Sequence, residues 1–163
     1  MDPLRLDLSH LWALAADRFA LGPHSLHGPD HWQRVERNGL QLAAESGADV
    51  LVVRLFAVLH DSNRLNEVTD PEHGSRAAAW ATELRREGRI DVTDAQFALL
   101  TEACVYHDKG RVSGDATIGT CWDADRLDLP RVGITPAERF MSTAAGKRLA
   151  RDAGTRGWWW HER

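Results

Sequence analysis

The sequence contains few of the features that mark secreted, membrane or nucleic-acid-binding proteins. Its two cysteines, Cys104 and Cys121, have no CxxC spacing, which argues against a disulfide framework and predicts reduced thiols in a cytoplasmic protein. No apolar run approaches ~20 residues and none follows a basic start, so we expect neither a membrane-spanning helix nor a signal peptide. The formal net charge of -4 gives no positive field for duplex nucleic acid or an anionic membrane.

What the chain does contain is typical of one globular domain. It has 163 residues, of which 43% are hydrophobic and 27% are charged. Its eight histidines are many for this length and are not clustered as in a tag, which is a first indication of a metal site. We expect a single domain over residues 1–163, with the motif-bearing core at about 24–129. A C-terminal helix and a Trp-rich tail, 136–163, are expected to pack on that core.

Hydrophobic periodicity predicts an all-α fold, a compact bundle of about six to eight helices without significant sheet. The organising segment is 50–59, which is apolar on all sides except at Arg54 and is followed directly by His60 and Asp61. Its β-branched residues are also compatible with a β-strand, but the amphipathic segments on either side favour a helix. An imidazole and a carboxylate at the end of a buried helix are costly to desolvate without a partner. A divalent metal ion is one such partner, and a polar pair that faces water is the alternative.

The other predicted helices have polar segments between them. Asp30 is a candidate cap for the helix that begins at His31, and Asp91 or Thr93 for the fifth helix. The segments 63–70 and 108–115 are predicted to be loops, and Thr135-Pro136 a short helical turn. The predicted helices run over about 6–21, 31–46, 71–87, 93–107, 116–127 and 142–152.

Four predicted helices each carry a histidine or an aspartate on an otherwise apolar side. These residues are His31, His73, His107 and Asp125, placed by the i, i+3, i+4 spacing of helix faces. One such residue is more often a hydrogen-bonded core residue than a ligand. Because unpaired buried polar groups are destabilising, several of them together favour one shared metal or phosphate site.

The sixth predicted helix offers two aspartates. Asp125 shares a face with Ile118 and Trp122, whereas Asp123 shares one with Arg126. Asp125 is therefore the better ligand candidate. Asp123 is expected to support the ligands or to face solvent, and it becomes the ligand if the helix begins late.

The order of these residues resembles the H…HD…D signature of the HD-domain metal-dependent phosphohydrolases, and in particular their small single-domain bacterial members. The signature is found as His31 in DHWQRV, His60-Asp61 in AVLHDSNR and Asp125 in WDADRLD. The segment EHGSRAA at 72–78 resembles the one that follows the HD pair in that family. The resemblance spans about 30–129, and the chain lacks the GYP motif of the cyclic-dinucleotide branch.

The resemblance implies an all-α fold that holds a divalent cation. The implied ligands are His31, His60, Asp61 and Asp125. The resemblance leaves the metal open among Mn, Mg, Fe, Ni and Zn, and mixed imidazole and carboxylate ligands suit Mn²⁺, Fe²⁺ or Zn²⁺. Some relatives carry a second metal, for which the candidates here are His73 and His107, either of which could bind phosphate instead.

The implied activity is hydrolysis of a phosphate ester or anhydride by a metal-activated water. Asp61 could bind the metal and orient the water. Arg34 and Arg64 could hold the phosphates of the substrate, with solvated surface arginines as the alternative. His107 could donate a proton to the leaving oxygen or bind phosphate, or it could only cap its own helix.

For the enzyme, a nucleotide is the expected substrate class. The alternative function is a catalytically idle module that binds metal and phosphate and acts as a ligand sensor or regulatory interaction protein. The complete ligand set favours the enzyme. We assign no role to His24 and His27, which lie on a loop. Trp158, Trp159 and Trp160 could pack on the core, cover the cleft or lie in a homodimer interface, and packing on the core is expected.

Overall fold

Seven α-helices make up most of residues 7–156, the part of the chain that the computed structural model describes. No strand occurs in that range, so the prediction of an all-α fold is confirmed. The predicted Trp-rich tail lies outside the described residues. The helices are α1 (Ser9–Arg18), α2 (Pro29–Ser46), α3 (Val50–Leu59), α4 (His73–Arg86), α5 (Asp94–Tyr106), α6 (Ala116–Arg126) and α7 (Ala144–Arg156), with short 3₁₀ turns at Leu129–Val132 and Glu138–Phe140.

The helix ends differ from the predictions where the cap chemistry was misjudged. Asp30 does not cap α2: the helix begins at Pro29, with Gly28 as its cap, and Asp30 lies in the first turn. Of the two candidates for α5, Thr93 is the cap, and it forms a capping box with Gln96. Two 3₁₀ turns flank the segment in which a single helical turn was predicted.

Helix α3 lies at the centre and packs against α1, α2, α4, α5 and α6. Most of its side chains are buried, and each large apolar side chain buried in this way contributes about 1.5–3 kcal/mol. Asp49 caps the start of α3 by accepting a hydrogen bond from the backbone N–H of Val52. This apolar burial offsets the cost of placing His60 and Asp61, at the far end of the helix, inside the bundle.

Two glycines allow helices to approach each other closely. A Cβ at Gly39 of α2 would lie 2.5 Å from Cγ1 of Val53 on α3. A Cβ at Gly74 of α4 would lie under 3.0 Å from the backbone oxygen of Cys104 on α5, closer than real Cβ contacts. The close packing of α2 on α3 and of α4 on α5 therefore requires glycine at these positions. Within the described residues, no helix has the length and apolar character needed to cross a membrane.

Candidate metal centre

Four buried histidines from separate parts of the bundle meet near the end of α3. His31 lies in the first turn of α2, His60 directly follows α3, His73 begins α4 and His107 directly follows α5. Their Nε2 atoms form two close pairs: the distance is 3.1 Å between those of His31 and His60, and 2.9 Å between those of His73 and His107. The structure thus brings together all four histidines that the sequence singled out.

Local hydrogen bonds turn each of these imidazoles toward the others. Every Nδ1 faces an oxygen, so every Nδ1 carries the proton and a neutral ring leaves the lone pair of Nε2 pointing into the cluster. Two such lone pairs about 3 Å apart repel each other unless a proton or a cation lies between them. The oxygens that face Nδ1 are those of Phe56 and Ala57 for His60, Cys104 for His107, Asp70 for His73 and the carboxylate of Asp128 for His31.

The carboxylate of Asp61 lies between the two histidine pairs. Its Oδ1 is 3.1 Å from Nε2 of His73 and 3.5 Å from Nε2 of His107. Its Oδ2 is 3.6 Å from Nε2 of His31 and 3.8 Å from Nε2 of His60. Each oxygen of Asp61 therefore faces a different pair.

The electrostatic environment keeps Asp61 ionised. Burial raises the pKa of this carboxyl group, but its interactions with His60, and then with His107, His27 and His73, lower it more. The pKa of Asp61 consequently lies well below its usual value, and the group remains an anion at the centre of the cluster.

Asp125, at the end of α6, lies beside the pair formed by His31 and His60. Its Oδ1 is 3.2 Å from Nε2 of His31 and 3.7 Å from Nε2 of His60. Burial raises the pKa of Asp125, but its interactions with His31 and His60 lower it well below its usual value. The same helix turn brings Asp125 to the wall of a cavity.

These residues fit a divalent cation. The nitrogen and oxygen atoms of His31, His60 and Asp61 lie within 4.8 Å of one another, and so do those of Asp61, His73 and His107. Converging Nε2 lone pairs and ionised carboxylates form the donor set that Mn²⁺, Fe²⁺ and Zn²⁺ accept. Both groups contain Asp61, and a third group, which consists of His60, His107 and Asp125, overlaps with them.

Asp123, the fallback ligand, lies elsewhere. It is fully buried and not at the surface, where one of the two expectations placed it. Its carboxylate accepts hydrogen bonds from the backbone N–H groups of Ser142 and Thr143, at 2.7 and 2.8 Å, and from the hydroxyl of Thr143. Asp123 thus holds the start of α7, and it is in none of the groups that could hold a metal within residues 7–156.

A cavity of about 300 Å³ opens beside the cluster. Arg64 lies in its wall, 8% exposed, and its Nε is 3.8 Å from Oδ1 of Asp61. Within the described residues, no group forms a hydrogen bond with Nε or NH1 of Arg64. The lining residues are His27, Asp61, Arg64, His73, His107, Asp108, Gly110, Asp125, Arg126, Leu129, Arg131 and Phe140.

Arg34, the other arginine expected to hold phosphate, is not among the residues that line this cavity. Its Nε donates to Oδ1 of Asp128 at 2.8 Å, and Oδ2 of Asp128 accepts from Nδ1 of His31 at 2.7 Å. Arg34 therefore orients the carboxylate of Asp128, which in turn orients the imidazole of His31. Helical spacing places Asp128 near the face of Asp125, but it did not indicate that Asp128 would pair with His31 and Arg34.

Asp70 orients His73 from the loop before α4. Its backbone oxygen accepts from Nδ1 of His73, while its carboxylate accepts from the backbone N–H of Leu65, at 2.8 Å, and from Arg76. Burial raises the pKa of Asp70, but these last two hydrogen bonds lower it more, so the pKa lies below its ordinary value. The loop between His60 and His73 is thus held by the hydrogen bonds that Asp70 accepts from Leu65 and from Arg76.

His27, to which no role was assigned, lies against the cluster. It is 9% exposed, and its Nδ1 is 2.9 Å from Oδ2 of Asp61. The loop around His27 has no periodic pattern, and the two residues are 34 positions apart, so no signal in the sequence pointed to this contact.

No family model matches the chain, and no curated protein matches its sequence. Among solved structures, the chain is similar to a protein described as a predicted HD superfamily hydrolase from an uncultured Thermotogales bacterium. The two share 23% sequence identity, with a TM-score of 0.71 over 91% of this chain and 85% of the other. This similarity establishes the HD-domain fold that the sequence motifs predicted.

Proposed function

From the HD-domain fold of the chain and the chemistry of its histidine and aspartate cluster, we infer that this protein is a metal-dependent phosphohydrolase. Its substrate would be a phosphate ester or anhydride of a small molecule. A shared fold does not determine an activity, so the proposal rests on the site. The observation that carries it is the position of Asp61 between two histidine pairs. Beside them lies a cavity lined by Arg64, whose Nε and NH1 have no hydrogen-bond partner within the described residues.

The metal ligands in this proposal are His31, His60, Asp61 and Asp125, with His73, His107 and Asp61 for a second ion. A divalent cation supplies Lewis-acid polarisation of a phosphoryl oxygen and makes water a nucleophile near neutral pH. The ionised Asp61 and Asp125 accept hydrogen bonds and so orient a water at the cavity wall.

Arg64 is the proposed phosphate-holding group. An arginine that is buried without hydrogen-bond partners is costly, and the oxygens of a phosphate would supply acceptors for its N–H groups. A hydrogen bond to a charged group contributes about 1.5–3 kcal/mol. Arg64→Met should therefore raise KM by roughly 10- to 150-fold and leave the metal content unchanged.

The proposed substrate class is a nucleotide, and the cavity favours a small one. Its volume of about 300 Å³ is at the lower end of the range for small-molecule sites, which suits a nucleoside monophosphate better than a triphosphate. Phe140 and Arg131 in the cavity wall provide an aromatic face and a planar cation, on either of which a base can stack.

Metal analysis of the purified protein, combined with phosphate release from a panel of nucleotides and other phosphorylated metabolites, tests the function. Asp61→Asn should lower the metal content and abolish turnover. The matched control is Asp91→Asn, which changes an exposed aspartate on a loop. Undiminished turnover in Asp61→Asn would refute the mechanism.

The alternative, an idle metal- and phosphate-binding sensor, differs in one outcome. It requires that the wild-type protein bind metal and protect a phosphorylated ligand against thermal unfolding while releasing no phosphate from any member of the panel. The complete ligand set and the buried Arg64, two of whose nitrogens have no hydrogen-bond partner within the described residues, give more support to the enzyme.

A further inference from the structure

We propose that His27 is a positioning residue that holds Asp61 across the two histidine pairs. This inference rests on the proposed metal centre. The distance from Nδ1 of His27 to Oδ2 of Asp61, 2.9 Å, is shorter than the 3.1 to 3.8 Å that separate Asp61 from its other histidine neighbours. His27 is thus the group best placed to fix the orientation of this carboxylate.

Asp61 needs such a restraint because of its role. The terminal torsion of an aspartate is broad and roughly two-fold, so a carboxylate is not held by its own rotamer preference. Rotation of this group would give both oxygens to one histidine pair and none to the other. A donor fixed on Oδ2 keeps that oxygen toward His31 and His60 and leaves Oδ1 for His73 and His107.

His27 is itself held firmly. Its backbone N–H donates to the hydroxyl of Ser25 at 3.0 Å, and its backbone oxygen accepts from Nε1 of the buried Trp32 at 2.7 Å. On the ring, Nε2 lies 3.3 Å from the backbone oxygen of Glu67. The backbone is thus fixed on both sides of the side chain, and a ring anchored in this way can impose an orientation on its neighbour.

His27 does not belong to the groups that could hold a metal ion in the described part of the chain. Its Nδ1 is directed at an oxygen of the carboxylate. It therefore acts through Asp61, as partners behind metal ligands generally do, and loss of such partners typically weakens metal affinity by 10- to 100-fold.

Two variants separate the contacts of the His27 ring. An asparagine amide places its N–H₂ near the position of Nδ1, and a glutamine amide places it near the position of Nε2. His27→Asn therefore keeps a donor toward Asp61, whereas His27→Gln directs its donor toward the backbone oxygen of Glu67. His24→Gln, on the same loop and exposed, is the matched control.

The experiment titrates each metal-free protein with Mn²⁺, following binding by calorimetry and the ion pair by electron paramagnetic resonance. We expect wild type, His24→Gln and His27→Asn to bind two ions and to give the signal of a coupled pair. In His27→Gln, the affinity for the second ion should fall 10- to 100-fold, and the signal should become that of isolated Mn²⁺.

Equal behaviour of His27→Gln and wild type would overturn the proposal. So would the reverse order, with His27→Asn impaired and His27→Gln intact, because it would show that the ring serves only to anchor the loop. A wild-type protein that binds a single ion also overturns it. A wild-type protein that binds no ion refutes the proposed metal centre itself, which separates that failure from the others.

Discussion

Replacing Gly74 by alanine tests whether the close packing of α4 on α5 builds the second histidine pair. Gly74 follows His73 directly, and its backbone lies against the carbonyl of Cys104, the group that accepts from Nδ1 of His107. A Cβ at position 74 would lie under 3.0 Å from that oxygen and 3.2 Å from the backbone oxygen of Val105, whereas ordinary contact begins at 3.4 Å. Because both obstacles are backbone atoms, no side chain can move aside.

The magnitude follows from those distances. Helix α4 has to withdraw by at least about 0.4 Å, which is more than the ±0.2 Å by which metal–ligand distances vary. Overpacking of this kind costs about 1–3 kcal/mol, or about 2–12 °C in Tm for a domain of this size. We expect Gly74→Ala to lose that stability and to bind the second ion at least tenfold more weakly, with the first ion retained.

Thermal unfolding and Mn²⁺ titration check this prediction, with Gly154→Ala as the control. Gly154 lies in α7, and a Cβ there would have no neighbour within 4 Å. That substitution should therefore stabilise the protein, by up to about 1 kcal/mol. If Gly74→Ala were as stable as Gly154→Ala and bound the second ion normally, the close contact would have no part in building the site.

Three further outcomes are expected. Asp128→Asn removes the carboxylate behind His31 and should weaken binding of the first Mn²⁺ by about 10- to 100-fold in calorimetry; unchanged affinity would contradict its role. Because the pKa of Asp70 is below its ordinary value, its contribution to stability is complete above that value and is lost as the pH falls through the lowered pKa. Urea unfolding from about pH 6 to pH 3 should show a weaker pH dependence for Asp70→Asn than for wild type. Burial raises the pKa of Cys104 and Cys121, so neither thiol should react with a disulfide reagent at about pH 8 until the protein unfolds; rapid labelling of the native protein would show that the core is open.

The fold was accessible from the sequence because its strongest signals are local. The apolar run of α3 and the amphipathic segments around it specify helices within one or two turns. The same periodicity identified His31, His73, His107 and Asp125, since residues on an apolar face must turn toward the core. The structure then brings these residues together.

The remaining features depend on contacts between distant segments. His27 lies on a loop, where no period indicates direction, and it reaches Asp61 only after α2 has packed on α3. Asp123 and Asp125 could be separated by helix face, but the partners of Asp123 come from the start of α7, about 20 positions later. Helical spacing placed Arg34 near the cluster, yet it could not show that the guanidinium of Arg34 would form an ion pair with Asp128.

The carbonyl oxygens that orient His60, His73 and His107 come from residues only three or four positions earlier in the chain. The direction of each of these imidazoles is therefore set as soon as its own stretch of backbone forms. This makes the receptor preorganised, unlike zinc fingers, which fold only around their metal. Uptake and release of an ion should consequently leave backbone amide exchange in α3 and α5 nearly unchanged.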